Sequence, residues 1–245
     1  MKKILLIILP ILLFAGTIPA ITAAEILSKV DENMIAKTTK STARMIVETR
    51  RATRTMSTVS YAKGNDIAYT EYTAPAREKG TKMLKIKDDL WLYDPSTDRV
   101  IQISGNMLKQ SVMGSDLSYE DFMDEVELAK TYTATLQEDT VYDERSCYVL
   151  SLAAKTDNLA YSKRVIYVDK ERLVPLYQEL YAKSGKKLKT MRMSKVTKIK
   201  QRWYPMQVVF KDELKSGSGT TMIIDEVSFD IKIPDYYFSK AILRK

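Results

Sequence analysis

Three observations predict a mainly β fold, an antiparallel meander closed or partly closed around a core. Segments of alternating character recur roughly every 10–15 residues, separated by Gly, Asn, Asp and Ser turns. Helical periodicity is confined to two short segments. Several strands carry bulky apolar residues on both faces, Leu90/Leu92 against Trp91/Tyr93 and Met222/Ile224 against Ile223. A sheet with one wet face would alternate more cleanly, so both faces of part of this sheet are expected to be covered, by a helix or by a ligand.

The chain opens with a basic Met1-Lys2-Lys3, an apolar run from Ile4 to Phe14 broken only by Pro10, and the small residues of "IPAITAAE". This pattern predicts a cleaved signal peptide over residues 1–24, cut after Ala23 or Ala24, and residues 25–245 as a single secreted domain. The run is too short for a retained transmembrane helix, and no Cys follows it to take a lipid anchor. Removal of Lys2 and Lys3 lowers the formal charge from +8 to +6.

The first helical segment is 25–38, "EILSKVDENMIAKT", where Ile26, Val30 and Met34 form a stripe flanked by Leu27 and Ile35. Then come the strands. "ARMIVETRRATRTMSTVSYAKGNDIAYTEYT" alternates in long runs around a turn at Lys63-Gly64-Asn65-Asp66. "KMLKIKDDLWLYDPSTDRVIQIS" divides into three strands at Lys87-Asp88-Asp89 and at Asp94–Asp98. "CYVLSLAA", "RVIYVD", "LVPLYQELYA", "KLKTMRMSKVTKIK", "RWYPMQVVFKDE" and "TTMIIDEVSFDI" continue the pattern. Their turns are Thr156-Asp157-Asn158, Ser184-Gly185 and Ser216-Gly217-Ser218-Gly219.

The second helical segment is near 118–129. Ser118 with Asp121 three residues on forms a capping box, Leu117 and Phe122 occupy staple positions, and Glu120 and Asp121 favour the first turn. Residues 116–127 hold Asp116, Glu120, Asp121, Asp124, Glu125 and Glu127 with no base. The segment reads as a solvated helix, or as an acidic lid or docking patch; a carboxylate metal site lacks specified partners.

Other candidates are weighed by the chemistry they need. Without histidine, Ser-His and Cys-His catalysis and the commonest zinc sites are excluded. The lone Cys147 sits in an alternating strand, reads as a small buried hydrophobe and forms no intrachain disulfide. In "DPSTD", Pro presets the turn and Asp94 bonds nearby amides. A calcium loop needs more oxygens and usually a bend glycine. Ser60-Tyr61-Ala62-Lys63 matches S-x-x-K, but it closes a strand rather than opening a helix. Residues 183–202 hold nine bases and no acid. That run reads as a lysine-protected sheet face, with anionic headgroups or an acidic partner as the alternative and nucleic acid behind both.

The stretch "KGTKMLKIKDDLWLYDPSTDRVIQISGNMLKQSVMGSDLSYEDF" resembles the LolA-like group, most closely its outer-membrane lipoprotein-sorting branch. Gly80, Trp91, Tyr93, Pro95, Arg99 and the run Met113–Asp121 carry the resemblance. Val112 and Leu117 stand where aromatics are expected. "RWYPMQVVFKDELKSGSGTTMIIDEVSFDIKIPDYYFSKAIL" is similar to the family's closing strands and its I-P-D-x-x-F tail, here Ile233, Pro234, Asp235 and Phe238. The resemblance implies a half-open antiparallel β-barrel wrapped over a few helices and a non-enzymatic periplasmic carrier without cofactor or metal. Such a carrier accepts a lipid or lipoprotein from an inner-membrane transporter and passes it towards the outer membrane. A monomer is expected, and the leader, which directs the chain out of the cytoplasm, argues against nucleic acid as a partner.

On this reading the cavity candidates are Met45, Val47, Leu84, Ile86, Trp91, Tyr93, Ile101, Ile103, Ile166 and Val168. The lid candidates are Leu117, Tyr119, Phe122 and Met123, and the partner-docking candidates are Asp116, Glu120 and Asp121. Arg44, Arg50, Arg51 and Arg54 all lie where a handoff arginine is expected, and no motif selects among them. Two rivals stand beside the carrier: a lipid-free scaffold docking an envelope transporter through 116–127, and an enzyme acting on an envelope lipid or glycan.

Overall fold

A computed structural model describes residues 21–49, 52–124 and 127–245. The expected leader therefore falls almost wholly outside the described residues. Among the described residues, fourteen strands form a single antiparallel sheet. They are β1 (Thr38–Glu48), β2 (Thr53–Lys63), β3 (Ile67–Ala74), β4 (Lys82–Ile86), β5 (Asp89–Asp94), β6 (Arg99–Ile103) and β7 (Tyr132–Leu136), followed by β8 (Thr140–Tyr142), β9 (Arg145–Ala154), β10 (Lys163–Asp169), β11 (Pro175–Tyr181), β12 (Lys187–Ile199), β13 (Arg202–Asp212) and β14 (Thr220–Phe229). The order runs β6-β5-β4-β3-β2-β1-β14-β13-β12-β11-β10-β9-β7, with β8 also on β9. The sheet is half-open: the end strands of this path, β6 and β7, are not paired with each other among the described residues.

The turns fall where Gly, Asn and Asp place them, at 64–66, 87–88, 184–186 and 213–219. "DPSTD" is one of these turns. Asp94 accepts from the Ser96 amide at 2.9 Å, the Ser96 hydroxyl at 2.7 Å and the Thr97 hydroxyl at 3.0 Å, joining β5 to β6. The Ser96 bonds, with help from Thr97, hold its carboxyl below the usual range. Strands β7 and β8 have no counterpart in the sequence reading. They are short, and the Thr-rich "TYTATL" lacks the bulky alternation that marks the others.

Cross-strand partners share a face of the sheet. One row runs Val47–Thr220–Phe210–Met191–Gln178–Ile166–Leu150 from β1 to β9. A second runs Ile103–Leu90–Lys85–Ala68–Ala62–Thr39 from β6 to β1. Both lie on the face covered by helices, called the inner face below. The opposite, outer row is Lys40–Tyr61–Tyr69–Leu84–Trp91–Gln102.

Helix α1 (Ala23–Met34) begins at a Thr22/Glu25 capping box and buries Ile26, Leu27 and Val30 on Leu150, Leu152, Ile166 and Val168. It stops short of residue 38, because Thr38 and Thr39 are taken into pairing with Lys63 and Ala62. The second expected helix divides into α2 (Tyr119–Met123) and α3 (Leu128–Thr131). Asp31 of α1 caps α3, accepting from the Leu128 and Ala129 amides at 3.0 and 2.8 Å. No described helix is long and apolar enough to cross a membrane. The middle of the outer row is covered by the C-terminal segment, two 3-10 turns at Asp235–Phe238 and Lys240–Arg244. They set Ile242 and Leu243 against Tyr69, Leu84 and Trp91. Both faces of β3–β5 are thus buried, which explains their bulky residues on both parities.

Candidate functional site

Between β6 and α2 the chain crosses the inner face as a covering segment, with 3-10 turns at Gly105–Lys109 and Val112–Gly114 leading into α2. Beneath it lie Met45, Val47, Met56, Tyr72, Met83, Leu90 and Ile103 of the sheet. The segment contributes Val112, Leu117 and Tyr119, with Met107, Leu108, Met113, Phe122 and Met123 packed alongside, and Phe210 and Met222 close the far side. Seven of the chain's twelve methionines meet in this one seam. Methionine is unbranched and polarisable, and it repacks around irregular apolar shapes more readily than Leu or Ile.

Polar contacts tie the segment at its margins. Arg54 donates to the Met113 carbonyl oxygen at 2.7 Å. Asp116 accepts from the Asp212 amide at 3.0 Å and the Thr220 hydroxyl at 2.9 Å. Lys215 donates to the Ser115 carbonyl at 2.6 Å. Asp121 closes the capping box, accepting from the Ser118 amide at 2.6 Å, and also takes the Tyr161 hydroxyl at 2.5 Å and an ion pair from Lys189 of β12. Burial and the Asp121 charge push the Tyr161 phenol well up, so it stays a donor. Asp124 pairs with Arg164 of β10, whose guanidinium also lies over the Tyr132 and Tyr161 rings. Burial opposes the Arg164 charge, but the Asp124 carboxylate outweighs it and holds the pKa above its ordinary value.

The lid candidates Leu117, Tyr119, Phe122 and Met123 all belong to the seam. The cavity candidates separate. Met45, Val47 and Ile103 lie in the seam, and Ile101 shares their face at 39% exposure. Ile166 and Val168 share the face too, but beneath α1. Leu84, Ile86, Trp91 and Tyr93 are on the outer face, packed with the C-terminal segment, and the Lys240 ammonium stands 3.8 Å from the Trp91 ring centroid. Their inward neighbours are Met83, Lys85, Leu90 and Leu92. With apolar residues on both parities, and the one Lys of that inner set, Lys85, buried with its ammonium 3.3 Å from the Met123 carbonyl, alternation did not reveal which parity faces inward.

The docking candidates need a similar correction. Asp116 is 8% exposed and the Asp121 side chain 11%, and both are engaged by β12–β14 or their loops, so neither presents an outward acidic patch. Glu120 is half-buried and borders a cleft of about 500 Å³ with Ser111, Leu159, Lys183, Leu188 and Lys215. A larger cleft of about 700 Å³ lies apart from the seam, where the end of α1 meets the β12–β13 turn. Its charges are largely paired internally, Lys29 with Glu32 and Arg202 with Asp230.

Of the four arginines, Arg54 alone is seen to touch the covering segment. Arg44 grips Asp225 at 2.7 Å, and Arg50 and Arg51 lie outside the described residues. Met56, Met83, Met107, Met113, Met222, Phe210 and Arg164 were not anticipated as site residues. The abundance of methionine was a usable signal for most of them; nothing local marked Arg164. Cys147 is buried, as expected. Among the described residues no cluster of three or more Cys, Asp or Glu is arranged to hold a metal ion.

Residues 64–245 match the model of a family described as uncharacterized-protein-like. No curated protein matches. Three solved structures are similar over nearly their whole length. A DUF1329 family protein from Desulfovibrio piger ATCC 29098 is 27% identical with a TM-score of 0.83, covering 90% of this chain and 97% of its own. A putative outer membrane lipoprotein-sorting protein domain from Vibrio parahaemolyticus is 23% identical with a TM-score of 0.79, covering 91% and 98%. A LolA superfamily protein from Nitrosomonas europaea is 26% identical with a TM-score of 0.76, covering 91% and 100%.

Proposed function

Because the chain belongs to the family matched over residues 64–245 and is LolA-like in sequence and fold, we propose that it is a periplasmic carrier of acyl chains. It takes a lipid or lipoprotein from an inner-membrane transporter and passes it towards the outer membrane. The carrying observation is the methionine seam between the inner face and the covering segment. An acyl chain entering there exchanges one apolar neighbour for another, and the flexible thioethers repack around it. Each methylene withdrawn from water contributes about 0.8 kcal/mol, offset by the contacts the segment gives up. The marginal polar ties, Arg54 to Met113 and Lys189 to Asp121 among them, set how readily the segment lifts.

We read the working form as a monomer of residues 25–245, released from a leader cut after Ala23 or Ala24, and as a carrier rather than an enzyme. The lipid-free docking scaffold loses support, since two of its three acids face inward. Native mass spectrometry of protein purified from an expressing envelope without detergent tests the proposal. Lipid or lipoprotein at near-stoichiometric level is the expected result. A protein still empty after incubation with envelope lipids and lipoproteins would overturn it.

A further inference from the structure

Two buried polar atoms on the inner face have no hydrogen-bond partner among the described residues: Arg164 Nε and Gln178 Oε1. Arg164 is 4% exposed and Gln178 7%. Leaving a buried polar atom unpaired forfeits its hydration without replacement, so such atoms point to a group that completes them. The two sit on adjacent strands. Arg164 pairs with Leu180, and Gln178 is two residues along, the diagonal neighbour on the same face. Gln178 also lies in the row between Met191 and Ile166, where the seam side of the inner face passes to the part under α1. Arg164 reaches the end of the covering segment through Asp124.

One of these atoms is a donor and the other an acceptor. Diagonal positions stand roughly 7–8 Å apart. Both side chains are long and project from the same face, and a trans secondary amide, with its C=O and N–H pointing opposite ways, can satisfy one donor and one acceptor at once; an ester offers acceptors only. We propose that Arg164 and Gln178 form a polar subsite at the edge of the acyl seam that selects amide-linked over ester-linked acyl chains. The ligand carbonyl accepts from Arg164 Nε–H, and its N–H donates to Gln178 Oε1. The inference rests on the acyl-carrier reading and names the linkage that the carrier recognises.

The test is displacement of a fluorescent fatty-acid probe from the mature protein by N-methylpalmitamide, N,N-dimethylpalmitamide, methyl palmitate and 1-hexadecanol. The secondary amide is expected to bind about tenfold tighter than the dimethyl amide or the ester. Gln178→Leu should bring it down to their level, and Gln178→Met serves if the leucine variant does not fold. Equal displacement by the two amides in the unmodified protein overturns the subsite while leaving the carrier reading in place. So does an advantage confined to the alcohol. A probe that does not bind at all overturns both.

Discussion

Arg54 donates from Nη2 to the Met113 carbonyl oxygen at 2.7 Å, joining the start of β2 to the tightest bend of the covering segment. Met113 and Gly114 both have positive φ there, 50° and 71°, and a Cβ on Gly114 would stand 3.0 Å from Arg54 Nη2. Removing the donor with Arg54→Leu should cost about 1 kcal/mol, and Gly114→Ala a similar amount. The loss should be local. Hydrogen exchange over residues 112–119 is expected to quicken several-fold while α1 and β9–β10 keep their protection. Uniform acceleration across the chain would mean that the segment does not open independently.

Lys189 and Asp121 form a second tie, with side chains only 12% and 11% exposed. Asp121→Ala leaves a nearly buried ammonium without its carboxylate and Tyr161 without its acceptor, and should cost about 3–5 kcal/mol. Lys189→Met should cost less, because Asp121 keeps the Ser118 amide and the Tyr161 hydroxyl. In a double-mutant cycle read by urea unfolding, a coupling above about 1 kcal/mol is expected. Additive losses would show that the pair does not act as a unit.

Acid should reveal two buried carboxylates of opposite sign. Burial would raise Asp169, but Arg145 and the Arg172 and Glu171 amides override it and hold the group low. Its contribution is present above the unfolded value of 3.8 and is lost as pH falls through the lower folded value. Asp31 is raised by burial despite accepting two amides, so its ionised form is disfavoured, and stability falls as pH rises from 3.8 through its folded value. The stability of unmodified protein over Asp169→Asn should therefore shrink on acidification, while its stability relative to Asp31→Asn should grow. Chemical denaturation across pH 3–6 on both variants measures the two slopes, and parallel slopes would refute the assignment.

What was legible in the sequence was what local chemistry determines. Ser118 with Asp121, and Leu117 with Phe122, marked the start of α2, and Asp94 with Pro95 marked a turn. The alternation around Met45 and Ile166 marked strands. What stayed hidden depends on pairing at a distance. Parity gives two faces but not which is inward: Trp91 and Leu84 are as apolar as Met83 and Leu90 on the other parity, and the buried Lys85 gives the inner face a charge that ordinarily marks a solvated one. Asp116 and Asp121 read as surface because their partners, Thr220, Lys189 and Tyr161, are 40 to 104 residues away in sequence. Arg164 was invisible for the same reason.

The two faces can be told apart by function. Met83 is 3% exposed in the seam, and Trp91 is 6% exposed under the C-terminal segment. Both are core by burial, so Met83→Ala and Trp91→Ala should each destabilise the fold, by about 2–5 kcal/mol. Only the first touches the proposed acyl site. At matched fractions folded, Met83→Ala is expected to release bound lipid faster than the unmodified protein, whereas Trp91→Ala retains it. Met83→Leu keeps the volume but stiffens the wall, so it should leave stability within about 1.5 kcal/mol and narrow the range of chain lengths held. Native mass spectrometry of lipid occupancy, read beside urea unfolding of the same samples, separates these outcomes. Faster release from Trp91→Ala than from Met83→Ala would place the acyl chains on the outer face and displace the methionine seam as their site.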